Sequence, residues 1–239
     1  MKGQYVFHLS IVFKKKGGTY RLINDLRRIN GHCKALKFQY EDIKCVLDII
    51  QPQDRLITLD IKDGFYNIPV SPDSQKYLGI QWRNKTYVWT VLPFGLSVSP
   101  YFFCKTVREI IRFLRSQNVR LSVYCDDFLL CAAEADILNH RNRLLHLLES
   151  LGLQVNFKKS FLQPATKQNH IFYTLSTVNE DRCVWISIPE VRIKKVKHDL
   201  RLAVKRKKLS ARALARLCGQ LISMSKAIFA CKTFITKSL

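Results

Sequence analysis

LSVYCDDFLLCA, residues Leu121 to Ala132, decides how the chain is to be read. Two short apolar runs flank Asp126-Asp127, the pattern of two strands joined by a tight connection. Acidic residues are ordinary in turns, so an isolated pair there carries little weight. A third carboxylate changes that. DRLITLD (Asp54 to Asp60) reads as another buried strand ending on Asp60, after which KDGF turns the chain with Gly64 as the flexible point. Adjacent strands of one sheet can bring Asp60, Asp126 and Asp127 together. Two carboxylates about 4 Å apart repel by roughly 4 kcal/mol at an effective dielectric of 20, so such a cluster calls for cations or protonation. Mg²⁺, hard and oxygen-seeking, is the natural occupant, and a pair of such ions suits in-line phosphoryl displacement.

Working outward, the spacing predicts a basic hairpin at the start: an apolar strand up to Phe13, a turn at Gly17-Gly18, and a second strand in TYRLIND. YLGIQW and TYVWTVL predict another hairpin about Asn84-Lys85. Ser99-Pro100 is a helix-start signal, and Phe103, Val107, Ile110 and Leu114 continue it to about Gln117. A Leu-rich helix ended by Gly152 follows the acidic pair, and LQVNF, NHIFYTLST and CVWISI read as further strands. From Pro189 to Lys208 a helix is predicted with an apolar stripe of Ile193, Val196, Leu200 and Val204, and a second helix starts near Ser210. Hairpins mixed with helices, without regular βαβ repetition, make this an α+β chain with an antiparallel sheet.

The 239 residues are 47% hydrophobic and 24% charged, a globular composition able to bury a core, and no linker or repeat divides them. Lysine and arginine total 40 against 18 acidic residues, a formal charge of +22. That imbalance is costly in a folded chain and argues for a polyanionic partner such as a nucleic-acid backbone. The eight cysteines form no C-x-x-C pair, which fits reduced core thiols and an intracellular setting, cytoplasmic or nuclear. No apolar run is long enough to span a membrane, and YVFHLSIVF lacks a cleavage site, so neither membrane nor leader peptide is expected.

YCDD (Tyr124 to Asp127) resembles the Tyr-x-Asp-Asp box of reverse transcriptases, and LDIKDGFYNIPV (Leu59 to Val70) resembles their first aspartate motif. LPFGLSVSP (Leu92 to Pro100) is similar to the Pro-x-Gly motif of that family, LGLQVNFKKS (Leu151 to Ser160) to its later lysine motif, and KKKGGTYRLINDLRRIN (Lys14 to Asn30) to its fingers hairpin. Five motifs stand in the family's order. The resemblance implies a right-hand polymerase fold, with fingers and palm over residues 1–188 and a helical thumb or connection segment over 189–239. It implies RNA-directed DNA polymerase activity on dNTPs, with two Mg²⁺ ions, or Mn²⁺ in their place, and an RNA or DNA template carrying a primer. LPFGL, YCDD and ARALARLCGQLISMSKA (Ala211 to Ala227) look most like DIRS-type retrotransposons.

Roles at matching positions follow from the resemblance. Asp60 and Asp126 are implied as ligands of both metals, with the Ile61 carbonyl, and Asp127 as the accessory carboxylate. Phe65 stands at the aromatic steric gate against a ribose 2′-hydroxyl. Lys14, Lys15, Lys16 and Arg21 are implied to hold the triphosphate, where Arg offers a bidentate fork. Asp63, Phe94 and Gly95 belong to the same nucleotide site. Lys159 is implied as general acid to the leaving pyrophosphate, with Lys158 as its alternative. Lys194, Lys195, Lys197, Arg201 and Lys205 are implied to track the duplex phosphates.

One departure concerns the primer grip, where Phe172-Tyr173-Thr174 is read in place of Phe-Leu-Gly, with Thr174 replacing the turn glycine. The chain is expected to start at the fingers and stop in or after the thumb, with RNase H and integrase or recombinase domains elsewhere in a parent polyprotein. Two rival readings are a decayed element that serves only as a basic nucleic-acid-binding module, and a viral RNA-directed RNA polymerase. The intact aspartates oppose the first and Phe65 opposes the second.

Overall fold

A computed structural model describes residues 5–14, 18–178, 183–205 and 209–228. Strand β1 (Val6–Phe7) precedes the hairpin of β2 (Leu9–Lys14) and β3 (Thr19–Asn24), which is paired from Leu9↔Asn24 to Lys14↔Thr19. Short helices α1 (Arg27–Asn30) and α2 (Ile43–Ile49) lead into β4 (Arg55–Asp60). Then come α3 (Pro72–Gln75), the hairpin of β5 (Gly79–Trp82) and β6 (Lys85–Val88), and the long helix α4 (Ser99–Ser116). Strands β7 (Arg120–Tyr124) and β8 (Asp127–Ala132) carry the acidic turn, followed by α5 (Ile137–Ser150) and β9 (Phe161–Ala165). β10 (Lys167–His170), β11 (Tyr173–Ser176) and β12 (Trp185–Ser187) form a separate antiparallel sheet, and α6 (Glu190–Lys205) and α7 (Ala211–Ile222) close the described chain. No described helix is long and apolar enough to cross a membrane.

The central sheet runs β7-β8-β4-β9, entirely antiparallel. Both of its faces are covered, which explains why its strands read as continuous apolar runs rather than alternating ones. Side chains of period 2 divide between the faces. Ile57, Leu59, Phe128 and Leu130 pack with Phe103, Val107, Ile110 and Leu114 of α4 and with Ile137, Leu144 and Leu148 of α5. Leu56, Leu129 and Cys131 pack on the opposite face with Ile43 and Val46 of α2, with Tyr173 and Leu175, and with Val196 of α6. By the same alternation Asp60 and Asp127 belong to this second face.

Several sequence expectations need correction. LQVNF is no strand: it contributes one bridge, Val155 to Ile61, and the ladder partner of β4 is Phe161–Ala165, just downstream. NHIFYTLST is two strands, broken by a turn at Ile171-Phe172, both in the left-handed region (φ 45° and 69°). The residue in a glycine-like conformation is therefore Phe172, whereas Thr174 lies inside β11. Val204, expected in the apolar stripe of α6, is 84% exposed, because packing stops with Ile193, Val196 and Leu200 against Leu221 and Met224. Gly17 and Arg206 to Lys208 lie outside the described residues, as does the last thiol, Cys231.

The KDGF turn forms, but its left-handed residue is Asp63 (φ 51°), not Gly64. Gly64 is needed for space. A Cβ there would sit 2.8 Å from a ring carbon of Phe103, which is wholly buried. Gly64→Ala should therefore overpack the junction of this turn with α4 and lower stability by about 1 to 3 kcal/mol in a denaturant titration. An unchanged midpoint would show that the Phe103 ring yields freely.

Candidate active site

Antiparallel pairing of β4 with β8 places Asp60 directly opposite Asp127. The connection of β7 to β8 is two residues long, and Cys125 accommodates it in the left-handed region (φ 58°). The Asp126 carbonyl accepts a hydrogen bond from the Ile61 amide at 3.1 Å, which ties the acidic turn to the residue after β4. Asp60 is buried at 5% exposure, its amide donating to Ser160 Oγ at 3.0 Å. Its carboxylate meets the Lys159 ammonium at 3.2 and 3.3 Å. Lys158 and Lys159 are both exposed, and it is the ion pair of Lys159 with Asp60 that separates the two.

The electrostatics match this crowding. Asp127 is pushed up to about 6, first by desolvation and then by the charges of Asp126 and Asp60, with Lys159 opposing. Asp126 is raised too, by desolvation ahead of the Asp60 charge. Protonation or a cation relieves both effects. His170 is buried and pushed down to about 4 by burial, and its Nε2 has no hydrogen-bond partner among the described residues.

Two cavities meet at Lys159. One, of about 680 Å³, is lined by Arg21, Asp63, Phe94, Gly95, Asp126 and Lys159, among others including Ile61. Its volume suits a nucleotide-sized ligand. A smaller one, of about 260 Å³, is bordered by Asp60, Tyr124, Asp127, Lys159, His170 and Phe172. Asp60 and Asp127 thus share one cavity while Asp126 lines the other. Among the described residues, no three His, Cys, Asp or Glu side chains are arranged as a ready metal cage.

The loop from Pro93 to Ser97 is held to β3 and α1 by two asparagines. Asn24 Nδ2 donates to the Phe94 carbonyl at 3.1 Å, and Asn30 Nδ2 donates to that of Gly95 at 2.9 Å while its Oδ1 accepts from the Ser97 amide at 2.8 Å. Gly95 has φ 97°, and a Cβ on it would lie 3.3 Å from the Asn24 carbonyl oxygen. Phe65 is half-buried, 4.9 Å from the Phe94 ring and 5.6 Å from that of Phe103, and joins the core between the central sheet and α4 to the one around Leu26, Leu78 and Leu96. Tyr66, stacked on Trp89 at 5.4 Å, lines the larger cavity instead.

Residues 13–174 match the family described as reverse transcriptase (RNA-dependent DNA polymerase). The chain belongs to the reverse transcriptase family. It is 31% identical over 161 residues to the Gag-Pol polyprotein of avian reticuloendotheliosis virus, covering 62% of this chain and 14% of that protein. It is 34% identical over 158 residues to the intracisternal A-particle Pol-related polyprotein of mouse intracisternal a-particle MIA14, covering 62% and 18%. The chain spans under a quarter of these relatives' length, and they do not test the DIRS-type expectation. The foamy viral protease-reverse transcriptase dRH in complex with double-stranded DNA superposes with a TM-score of 0.73 over 97% of this chain and 39% of that one, at 21% identity. The same enzyme with an RNA/DNA hybrid gives 0.71 over 99% and 31%, at 20% identity. The fold is the right-hand polymerase fold.

Within this reverse transcriptase fold, Lys14 closes β2, while Lys15 and Lys16 lie outside the described residues. Lys194, Lys195, Lys197, Arg201 and Lys205 are exposed along α6, with Lys194 3.5 Å from Glu190. Sequence reading missed Asn24, Asn30, Tyr66, Asn156 and His170. Only Asn24 and Asn30 carried a signal, standing as polar residues at the two ends of an apolar-basic segment.

Asp127 supplies a pH test. A raised acid pKa means that the folded state holds the proton more tightly than the unfolded one, so the contribution of this group falls as pH rises from about 4 through 6. Carboxyl NMR on the metal-free protein should place its midpoint near 6. Asp126→Asn removes a neighbouring charge and should move that midpoint down; no movement would mean that the Asp126 charge contributes nothing, leaving desolvation and Asp60 to set it.

Proposed function

We propose that this chain is the polymerase core of an RNA-directed DNA polymerase, with fingers and palm over residues 1–188 and a helical thumb or connection segment over 189–239. One observation carries the reading: Arg21, Asp63, Phe94, Gly95, Asp126 and Lys159, from five separated segments, line one nucleotide-sized cavity beside the Asp60–Asp127 pair. Membership of the family and the charge of +22 support it. The solved neighbours hold double-stranded DNA and an RNA/DNA hybrid, and a primed RNA or DNA template is the partner proposed here.

The carboxylates fit divalent cations by chemistry: their donors are hard oxygens, desolvation and then mutual charge raise Asp126 and Asp127, and an ammonium already balances Asp60. Asp60 and Asp126, with the Ile61 carbonyl, would hold Mg²⁺ or Mn²⁺, and Asp127 would act as accessory. When bound, the two cations activate a hydroxyl and neutralise charge at the leaving oxygen. Arg21, with Lys14, Lys15 and Lys16, orients the triphosphate of the incoming dNTP. The ion pair of Lys159 with Asp60 leaves its ammonium at the border of both cavities, where it can turn from the carboxylate to donate a proton to the leaving pyrophosphate. Phe65 acts as the gate from beneath Phe94, so its size is felt at the sugar through the loop ring above it. The exposed bases of α6 follow the duplex backbone.

Primer extension on an RNA template with Mg²⁺ tests the activity. Asp126→Asn should abolish extension and leave nucleic-acid binding largely intact, and persistent extension would remove the catalytic assignment. With roughly 6 to 10 phosphates contacted, affinity should fall ~10³ to 10⁵-fold between 50 and 200 mM salt. A flat response would leave a backbone-tracking role without support.

Phe65→Ala should raise kcat/KM for ribonucleotides relative to deoxynucleotides, each tenfold change corresponding to about 1.4 kcal/mol. Packing alone predicts otherwise: about 3 to 5 kcal/mol of lost stability with the ribo/deoxy ratio unmoved. The same measurement on Tyr66→Ala decides which ring sets the ratio.

A further inference from the structure

Asn24 ends β3 and is buried at 6% exposure. Its amide nitrogen donates to the Phe94 carbonyl at 3.1 Å, while its Oδ1 has no hydrogen-bond partner among the described residues. A buried acceptor left unpaired is costly, and an apolar side chain of the same size avoids that cost. Stability therefore does not account for an asparagine here. What the amide supplies is one hydrogen bond, directed onto a loop 70 residues away in sequence. That loop meets Asn24 a second time, because a Cβ on Gly95 would lie 3.3 Å from the Asn24 carbonyl oxygen, so the glycine lets the loop seat against the end of β3. The Phe94 ring that the loop carries is 42% exposed, 4.9 Å from the Phe65 ring and edge-on to Tyr66 at 5.0 Å. Asn24 lines the nucleotide-sized cavity together with Phe94, Tyr66 and Arg21, which stands on the same strand.

We propose that Asn24 is a positioning residue for sugar selection: by pinning the Phe94 carbonyl to β3 it keeps the Phe94 ring against Phe65 and closes the volume that a ribose 2′-hydroxyl needs. Asn24 acts through that ring and touches no reacting atom. The role in sugar selection rests on the polymerase reading above, but the hold on the loop does not. Asn30 ties the same loop at a different place, through the Gly95 carbonyl and the Ser97 amide. Without the Asn24 bond the loop therefore stays anchored at Gly95 and Ser97, while the residue before them is released and its ring is free to leave Phe65. Without the Asn30 bonds the Phe94 carbonyl stays pinned and the following residues loosen. The two asparagines thus differ in what they control: the choice of sugar for Asn24, and the hold on the nucleotide as a whole for Asn30.

The test compares the wild-type chain with Asn24→Leu, which keeps the volume and removes the donor, and with Asn30→Ala, in single-nucleotide primer extension with deoxynucleotides and with ribonucleotides. Asn24→Leu should lower the deoxy-over-ribo ratio of kcat/KM roughly tenfold, about what one hydrogen bond can set. Asn30→Ala should raise KM for both sugars and leave the ratio in place. A melting curve on each establishes folding, with Asn24→Ala in place of the leucine variant if that one does not fold. A folded Asn24 variant whose ratio is unmoved, or an Asn30→Ala whose ratio shifts as far, overturns the role in sugar selection. Hydrogen exchange across residues 93–97 without nucleotide tests the hold on the loop apart from catalysis: Asn24→Leu should speed it, and unchanged protection overturns the positioning bond. If the wild type extends no primer, the polymerase reading and the sugar role fall together, and the exchange measurement still decides whether Asn24 holds the loop.

Discussion

Everything at the site depends on the register of β4 against β8. Asp60 faces Asp127 because Leu56 faces Cys131 and Ile57 faces Leu130 along the same ladder. A slip of one residue would turn every side chain of the strand to the wrong face, moving Ile57 and Leu59 away from α4 and α5. Apolar packing on both faces thus holds two carboxylates opposite each other, an arrangement their charges disfavour. The hydrophobic core supplies the free energy and the aspartates bear the strain.

That strain explains the surroundings of the site. Buried carboxylates that repel one another persist when cations or protons compensate them, and Lys159 and a raised Asp127 are two such compensations within one sheet. On a larger scale the chain repeats the pattern with opposite sign. A chain carrying 40 basic residues against 18 acidic ones repels itself until a polyanion neutralises it, so the acidic centre and the basic charge excess both call for ligands of opposite charge.

Much of this was legible in the sequence, and the reasons differ by element. Strands β4, β7 and β8 and helix α4 are buried, strongly patterned and bounded by clear signals, so pattern and structure agree. LQVNF misled because a short apolar run has no intrinsic direction: its residues bridge to Ile61 only at Val155, and the ladder was left to FLQPA, whose proline argued against a central strand and in fact sits at the sheet edge. Helix α2 was missed because seven residues show too little periodicity, although Asp42 caps it through the amides of Lys44 and Cys45. At the site, residue types were readable and three-dimensional groupings were not. Nothing in the spacing shows that Asn24 and Asn30 would clasp the loop carrying Phe94 and Gly95, since those contacts span 65 to 70 residues.

The backbone itself marks where local preference gave way. Arg83, Asn84 and Asn118 take left-handed conformations in ordinary surface turns, where asparagine tolerates them. Asp63, of a residue type that tolerates that region, lines the larger cavity; Ile171 and Phe172 line the smaller one and Cys125 stands between Tyr124 and Asp126, and these three side chains ordinarily avoid it. Each costs on the order of 1 to 2 kcal/mol. Ile171 is β-branched and sits where a two-residue hairpin normally carries Asn-Gly. Such residues persist only where neighbouring structure over-determines them, and here it does: β10 and β11 pair on both sides of the turn, Arg192 donates to the Phe172 carbonyl at 3.1 Å, and the Tyr173 hydroxyl donates to the Ser223 carbonyl at 2.8 Å. The C-terminal segment therefore braces the turn that borders Asp60 and Asp127, so a displacement of α6 is transmitted to the wall of the carboxylate cavity.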